Sequence, residues 1–163
     1  MSVAGDDITD QNTVIDKTQR KHPPHLRTAP DFHPILLITV CTYRRRPVLA
    51  NRAMHNLFKQ AWSRWPDYPV GYYTILPDHL HLMIRDLGQN RRNLCAWVAA
   101  WKGHVTRNWN GTGELWQRSF WDRQIRSARD YDSKYLYVRD NPVRHGLVTE
   151  SEDWPYQGEM NDI

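Results

Sequence analysis

The chain has 163 residues, of which 40% are hydrophobic and 25% charged, and carries a formal net charge of +4. That is ordinary for a soluble globular protein and favours one domain around a single core. No apolar run approaches 18 residues, so no membrane-spanning helix is expected. The two cysteines, Cys41 and Cys95, sit in apolar settings and read as free thiols in a reducing cytoplasm.

In chain order, residues 1–33 are polar, contain Pro23-Pro24 and Pro30, and show no sustained period, so they read as a flexible leader. Asp6, Asp7 and Asp10 and the lack of an apolar stretch argue against a secretory signal. Ile35 to Tyr43 is rich in β-branched residues and predicts a central strand, ended by Arg44-Arg45-Arg46-Pro47. Val48 to Trp65 places Leu49, Ala53, Leu57, Phe58, Ala61, Trp62 and Trp65 on a helical stripe. Val70 to Leu76 and His79 to Ile84 predict two strands joined by the turn Pro77-Asp78. A second helix is expected from about Asn90 to Trp109, with Leu94, Trp97, Val98, Trp101 and Val105 as its apolar face. A strand follows from about Phe120 to Arg126. A third helix starts near Ala128 to Asp130, covers Tyr131 to about Arg139 and stops at Asn141-Pro142, because proline cannot continue the ladder.

The order β-α-β-β-α-β-α predicts an α+β fold: a ferredoxin-like antiparallel sheet with helices on one face. The domain is expected to span 34–150, with 151–163 as a C-terminal tail.

Three features carry chemistry. The first is the pair His79 and His81. Positions i and i+2 of a strand point to one face, roughly 6.5 Å apart, so two imidazoles there can share one divalent ion. A hydrogen-bonded pair at a sheet edge is the plainer alternative. The second is Tyr137 and Asn141. Four residues apart, they share a helix face. A tyrosine hydroxyl is a poor nucleophile unless it is placed in line with an electrophile, and an amide oxygen is an acceptable ligand for magnesium or manganese. A packed tyrosine and a helix-ending asparagine are the alternatives. The third is charge. Acidic residues are densest in the first 31 and last 14 positions, and the stretch between holds Arg44, Arg45, Arg46, Arg118, Arg123 and Arg126 among eight tryptophans and eight tyrosines in all. Arginines among aromatics suit phosphates and unstacked bases of single-stranded nucleic acid.

Taken together, the stretches Ile38 to Pro47, Leu76-Pro77-Asp78-His79-Leu80-His81, Trp116-Gln117-Arg118-Ser119-Phe120-Trp121-Asp122 and Tyr137 to Val148, followed by Asp153-Trp154-Pro155-Tyr156, resemble the REP-associated tyrosine transposases. These are a branch of the single-tyrosine HUH transposases, and the resemblance covers roughly residues 33–157. It implies that His79 and His81 are paired metal ligands, that Tyr137 is the nucleophile and that Asn141 is the third ligand. Tyr135 is the adjacent candidate, on a different helix face from Asn141. The resemblance further implies a divalent cofactor, magnesium or manganese, and cleavage and rejoining of single-stranded DNA hairpins through a 5′-phosphotyrosine bond. Arg44, Arg45, Arg46, Arg118, Arg123 and Arg126 become candidate phosphate contacts. No membrane or small-molecule cofactor is expected, a monomer is expected rather than a dimer, and the protein is placed in the cytoplasm at the nucleoid. Two other readings stay open: a non-catalytic, domesticated hairpin-binding protein, and a nuclease that activates water with His79 and His81.

Overall fold

Five short strands hydrogen-bond into one antiparallel sheet in the order β4-β1-β3-β2-β5 in the computed structural model, which describes residues 33–88 and 90–163. The polar leader therefore lies, all but His33, outside the described residues. The strands are β1 (Ile35–Cys41), β2 (Val70–Ile75), β3 (His79–Arg85), β4 (Trp121–Ile125) and β5 (Gln157–Glu159). The helices are α1 (Arg52–Arg64), α2 (Leu94–Asn108), α3 (Ala128–Arg139) and the single turn α4 (Asn141–Arg144). Among the described residues no helix is long and apolar enough to cross a membrane.

Side-chain alternation sorts β1 and β3 into two faces. Leu36, Ile38 and Val40 of β1 and Leu80, Leu82 and Ile84 of β3 join the core under α1 and α2. The residues between them face the other way. Leu37 of β1 and Met83 of β3 pack with Tyr72 of β2, Ile125 of β4 and Val138 of α3. Antiparallel register then sets Thr39 opposite His81 and Cys41 opposite His79 on this second face. Sequence order predicts the α+β antiparallel class, and α1 and α2 do share one face. The third helix does not join them: α3 lies across β2, β3 and β4 on the opposite side. A hydrophobic stripe says that a helix packs on a sheet, not on which side of it.

Helix ends follow capping chemistry. Both α1 and α2 begin later than their apolar periods suggest, because Asn51 and Asn93 stop the helix to cap it. Each side chain accepts a backbone N–H three residues on, from Met54 at 3.0 Å and Ala96 at 2.9 Å. Ser127 caps α3 in the same way, accepting from Asp130 N. All five residues of the expected apolar face of α2 are buried. In α1 the stripe is carried by Met54, Phe58, Ala61 and Trp62, and Ala53 is exposed.

The tail is part of the sheet. Gln157–Glu159 pairs with Tyr72–Thr74 of β2 as the fifth strand, and Trp154 Nε1 donates to Ile75 O at 3.0 Å. A three-residue strand containing glycine carries no alternation to read, so the sequence predicts only a C-terminal tail over 151–163. Pro142 also acts differently from the expected stop. The chain breaks at Asp140, and Pro142 sits in the first turn of α4, where its missing N–H costs nothing. Gly146, at φ +67°, closes that turn, with Gly146 N donating to Val143 O and Leu147 N to Pro142 O, both at 2.9 Å.

Candidate active site

The site lies at the end of the sheet where β1 leaves and β3 enters, beneath the α3–α4 junction. His79 and His81 are both buried, 4% and 3% exposed, with ring centroids 5.0 Å apart. The imidazole of His81 also meets the Tyr137 ring at 5.4 Å, and that of His79 meets His145 at 5.3 Å. Tyr137 is 37% exposed and sits at the rim of a cleft of about 310 Å³ lined by Leu37, Thr39, Trp121, Asp122, Arg123 and Lys134. The hydroxyl-bearing ring therefore borders both the histidine pair and open solvent. The guanidinium of Arg144 lies over the same ring, 5.2 Å from its centroid.

Asn141 is buried, and its Nδ2 donates to Tyr137 O at 3.0 Å. It opens α4 rather than ending α3, yet the hydrogen bond across the break keeps it beside Tyr137. Asp140 at the break is held by Arg139 Nε at 2.9 Å and Ser151 Oγ at 2.8 Å, and these bonds lower its carboxyl pKa. Tyr135 points away from this group: its ring packs on Tyr72 at 4.8 Å.

Each histidine has one ring nitrogen occupied. His79 Nδ1 is 2.6 Å from Asp78 Oδ1. A carboxylate only accepts, so Nδ1 carries the proton and Nε2 the lone pair. Arg45 Nη2 also approaches Nδ1, at 3.4 Å, but a protonated nitrogen cannot accept and the shorter contact wins. His81 Nδ1 is 2.8 Å from Thr39 Oγ1. Among the described residues its Nε2 is buried without a hydrogen-bond partner, as is Oγ1 of Thr74, the residue opposite His81 on β2. Burial drives the pKa of His81 down to about 3, with His79 and His145 adding to the effect and the nearby Asn141 amide opposing it. Burial also lowers the pKa of His79, against the opposing pull of Asp78. Both rings are neutral near pH 7, which is the form that can ligate a metal.

Those observations fit a divalent ion. Two neutral imidazoles stand side by side, one has a carboxylate behind it in the way metal-bound histidines commonly do, and the other has an orphaned buried nitrogen. Among the described residues no group of three or more His, Cys, Asp or Glu side chains is placed to hold an ion. An ion would therefore rest on His79, His81 and a neutral oxygen such as that of Asn141.

The arginines separate. Arg123 lines the cleft beside Tyr137 and lies 3.7 Å from Asp130. Arg44 is exposed over the Tyr43 ring. Arg46 donates to the carbonyls of Thr112 and Glu114, at 3.0 and 3.2 Å, and covers Trp109. Arg118 lines a different cleft, of about 550 Å³, with Lys102, Arg107 and Trp116. Burial lowers the Lys102 ammonium pKa to about 8. Arg126 follows Ile125, which pairs with Ile35 at the far end of the sheet, about 16 Å from the histidines at strand rise. Arg45, although exposed, binds Asp78 Oδ2 through Nε at 2.7 Å.

Asp78, Thr39 and His145 receive no role from sequence reasoning. The carboxylate immediately before His79 was a usable signal. Thr39 was not, because its pairing with His81 is set by register. His145 stands four residues after Asn141, a spacing that places it on the next helical turn.

No family model matches the chain. It is 32% identical over 122 residues to a Haemophilus influenzae protein whose name places it among the REP-associated tyrosine transposases, covering 66% of this chain and 68% of that one. It is 29% identical over 96 residues to the REP-associated tyrosine transposase of Escherichia coli K12, covering 59% of this chain and 57% of that one. A solved REP-associated tyrosine transposase bound to a REP hairpin superposes with a TM-score of 0.67 at 23% identity, covering 83% of this chain and 82% of that one, and shares the fold. Identity of 32% across about two thirds of both sequences decides the family: this chain belongs to the REP-associated tyrosine transposases.

Proposed function

We propose that this protein cleaves and rejoins single-stranded DNA at hairpin sequences, with Tyr137 as nucleophile. The observation that carries this reading is the position of Tyr137, half open to a cleft and in ring contact with His81. A relative of known structure binds a REP hairpin, which supports hairpin DNA as the substrate here. His79, His81 and Asn141 are the residues that would hold a magnesium or manganese ion. When bound, such an ion supplies positive charge that polarises the scissile phosphate.

The protein's own groups do the rest. Arg123 and Arg144 flank Tyr137 with positive charge, suited to a phosphate backbone. The Tyr137 oxygen attacks phosphorus, the bond from phosphorus to the 3′ oxygen breaks, and the released strand end leaves as a 3′-hydroxyl. The proton that the tyrosine gives up as the ester forms balances the one that the leaving 3′ oxygen takes up. A later 3′-hydroxyl reverses the exchange. One phosphoester replaces another in each step, so no nucleotide energy source is required.

The test is a covalent-adduct assay with labelled single-stranded hairpins from the DNA flanking the gene, in manganese, beside Tyr137→Phe. A protease-sensitive, shifted band in the wild type alone is expected. Cleavage without an adduct overturns Tyr137 as nucleophile in favour of water activation. Binding without cleavage in either metal favours the hairpin-binding protein.

A further inference from the structure

We infer that Arg45 and Asp78 are positioning residues that fix the tautomer and orientation of His79. The inference deepens the proposed site, and its metal arm rests on that reading. Its tautomer arm does not.

The geometry is a chain of short contacts running away from the cleft. Asp78 Oδ1 accepts from His79 Nδ1 at 2.6 Å, and Asp78 Oδ2 accepts from Arg45 Nε at 2.7 Å. The same guanidinium reaches Cys41 Sγ through Nη1 at 2.7 Å. Cys41 is the cross-strand neighbour of His79, so the loop of contacts closes on the strand pair that carries the site. Both carboxylate oxygens of Asp78 are engaged, one by each partner. The carboxylate therefore cannot rotate away from the imidazole without losing an ion pair.

The backbone shows that this arrangement is imposed. Arg44 and Arg45 both have positive φ, 52° and 55°, in a left-handed region that side-chain-bearing residues rarely enter. Two such residues in succession reverse the chain after β1 and bring Arg45 back over the sheet end. Asp78 is pinned independently: its carbonyl accepts from Thr42 N at 2.9 Å and Thr42 Oγ1 at 3.0 Å. A phosphate contact needs neither the strained turn nor the ion pair to Asp78. Arg45 and Arg44 are both exposed, but Arg45 is tied to Asp78 and Cys41, whereas the Arg44 guanidinium lies over the Tyr43 ring.

The chemical consequence is definite. With the proton held on Nδ1, the His79 lone pair must lie on Nε2, the nitrogen left free for the site. Without Asp78 the ring can place its proton on either nitrogen, and the form with Nε2 protonated cannot ligate through Nε2.

Long-range ¹H–¹⁵N NMR of the metal-free full chain at pH 7.5 reads the tautomer directly. The expected result is His79 with Nδ1 protonated in the wild type and in Asp78→Asn, whose amide oxygen can still accept. Asp78→Ala and Arg45→Ala should shift His79 toward the other tautomer, and Arg45→Lys should restore part of the wild-type signal. Mn²⁺ affinity, measured by EPR, should fall about 10- to 100-fold in Asp78→Ala, with hairpin affinity in metal-free buffer unchanged. A His79 signal in Asp78→Ala identical to wild type overturns the proposal. So does an Arg45→Ala variant with a wild-type tautomer and a weakened, less salt-sensitive hairpin complex, which marks Arg45 as a phosphate contact. If the wild type takes up no Mn²⁺ yet Asp78→Ala still shifts the tautomer, the metal reading fails and the positioning role stands.

Discussion

The two faces of the sheet are built from alternate residues of the same strands and obey opposite rules. Under α1 and α2 the packing is apolar and continuous. Phe58, Trp62, Trp97, Trp101 and Trp116 form a chain of ring contacts with centroids 5.5–6.3 Å apart. Under α3 the apolar patch is small, Leu37, Tyr72, Met83, Ile125 and Val138. Past its end the same face turns polar, with Thr39, Thr74, His79, His81 and Asn141. One face supplies stability through buried area. Among the described residues the other leaves buried polar atoms without partners, which costs stability, and it keeps the two imidazoles neutral. Even the closed face leaves the indole N–H groups of Trp62 and Trp101 without a partner among the described residues.

The contrast can be broken at its extremes first. Tyr137→Phe should abolish adduct formation, a rate loss of about 10⁴-fold or more as for other removed nucleophiles. Thermal stability and hairpin affinity should be unchanged, since the ring stays and the side chain is 37% exposed. A denaturing gel and a melting curve check the two halves. Trp101→Ala lies on the other face and should do the reverse. Trp101 is fully buried, so its loss should cost about 3–5 kcal/mol in urea unfolding, while any folded fraction keeps the His79 and His81 NMR signals of the wild type.

The pH dependence sharpens the comparison. His81 has a folded pKa of about 3 against 6.5 for a free histidine. Between those values the unfolded chain binds more protons, so acid favours unfolding. In metal-free protein this contribution should be constant above pH 6.5 and erode stability as the pH falls from 6.5 toward 3. His81→Gln should flatten that slope in unfolding curves taken at several pH values. Arg123→Ala should weaken hairpin binding only several-fold and reduce the slope of log affinity against log salt by about 1, as expected for one phosphate contact. The smallest effect belongs to Asn51→Ala. The lost cap should destabilise the chain by about 1 kcal/mol without altering cleavage.

Much of this was legible in the amino-acid order because it depends on local period. Alternation along β3 placed His79 and His81 on one side. The i, i+4 spacing kept Asn141 near Tyr137 even though the helix breaks between them. The stripe of α2 named its five buried residues. The motifs pointed to the family that the comparisons then established. What was not legible depended on partners far along the chain. Nothing local told which face α3 would cover, and that choice decided that Tyr137 meets His81 while Tyr135 meets Tyr72. Nothing local made a strand of Gln157–Glu159, whose only reason to extend is the free edge of β2. The six candidate arginines look alike in sequence, yet they occupy separate places in the fold.

By itself, then, the sequence determined β1 to β4, α1 to α3, the histidine pair and the antiparallel class, since strand and helix periods are properties of consecutive residues, while the candidate nucleophile came from the family resemblance. Only the tertiary structure decided the register that sets Thr39 against His81, the side on which α3 packs, and the strained turn that brings Arg45 to Asp78. Those features arise from contacts between residues tens of positions apart, where no periodicity reaches.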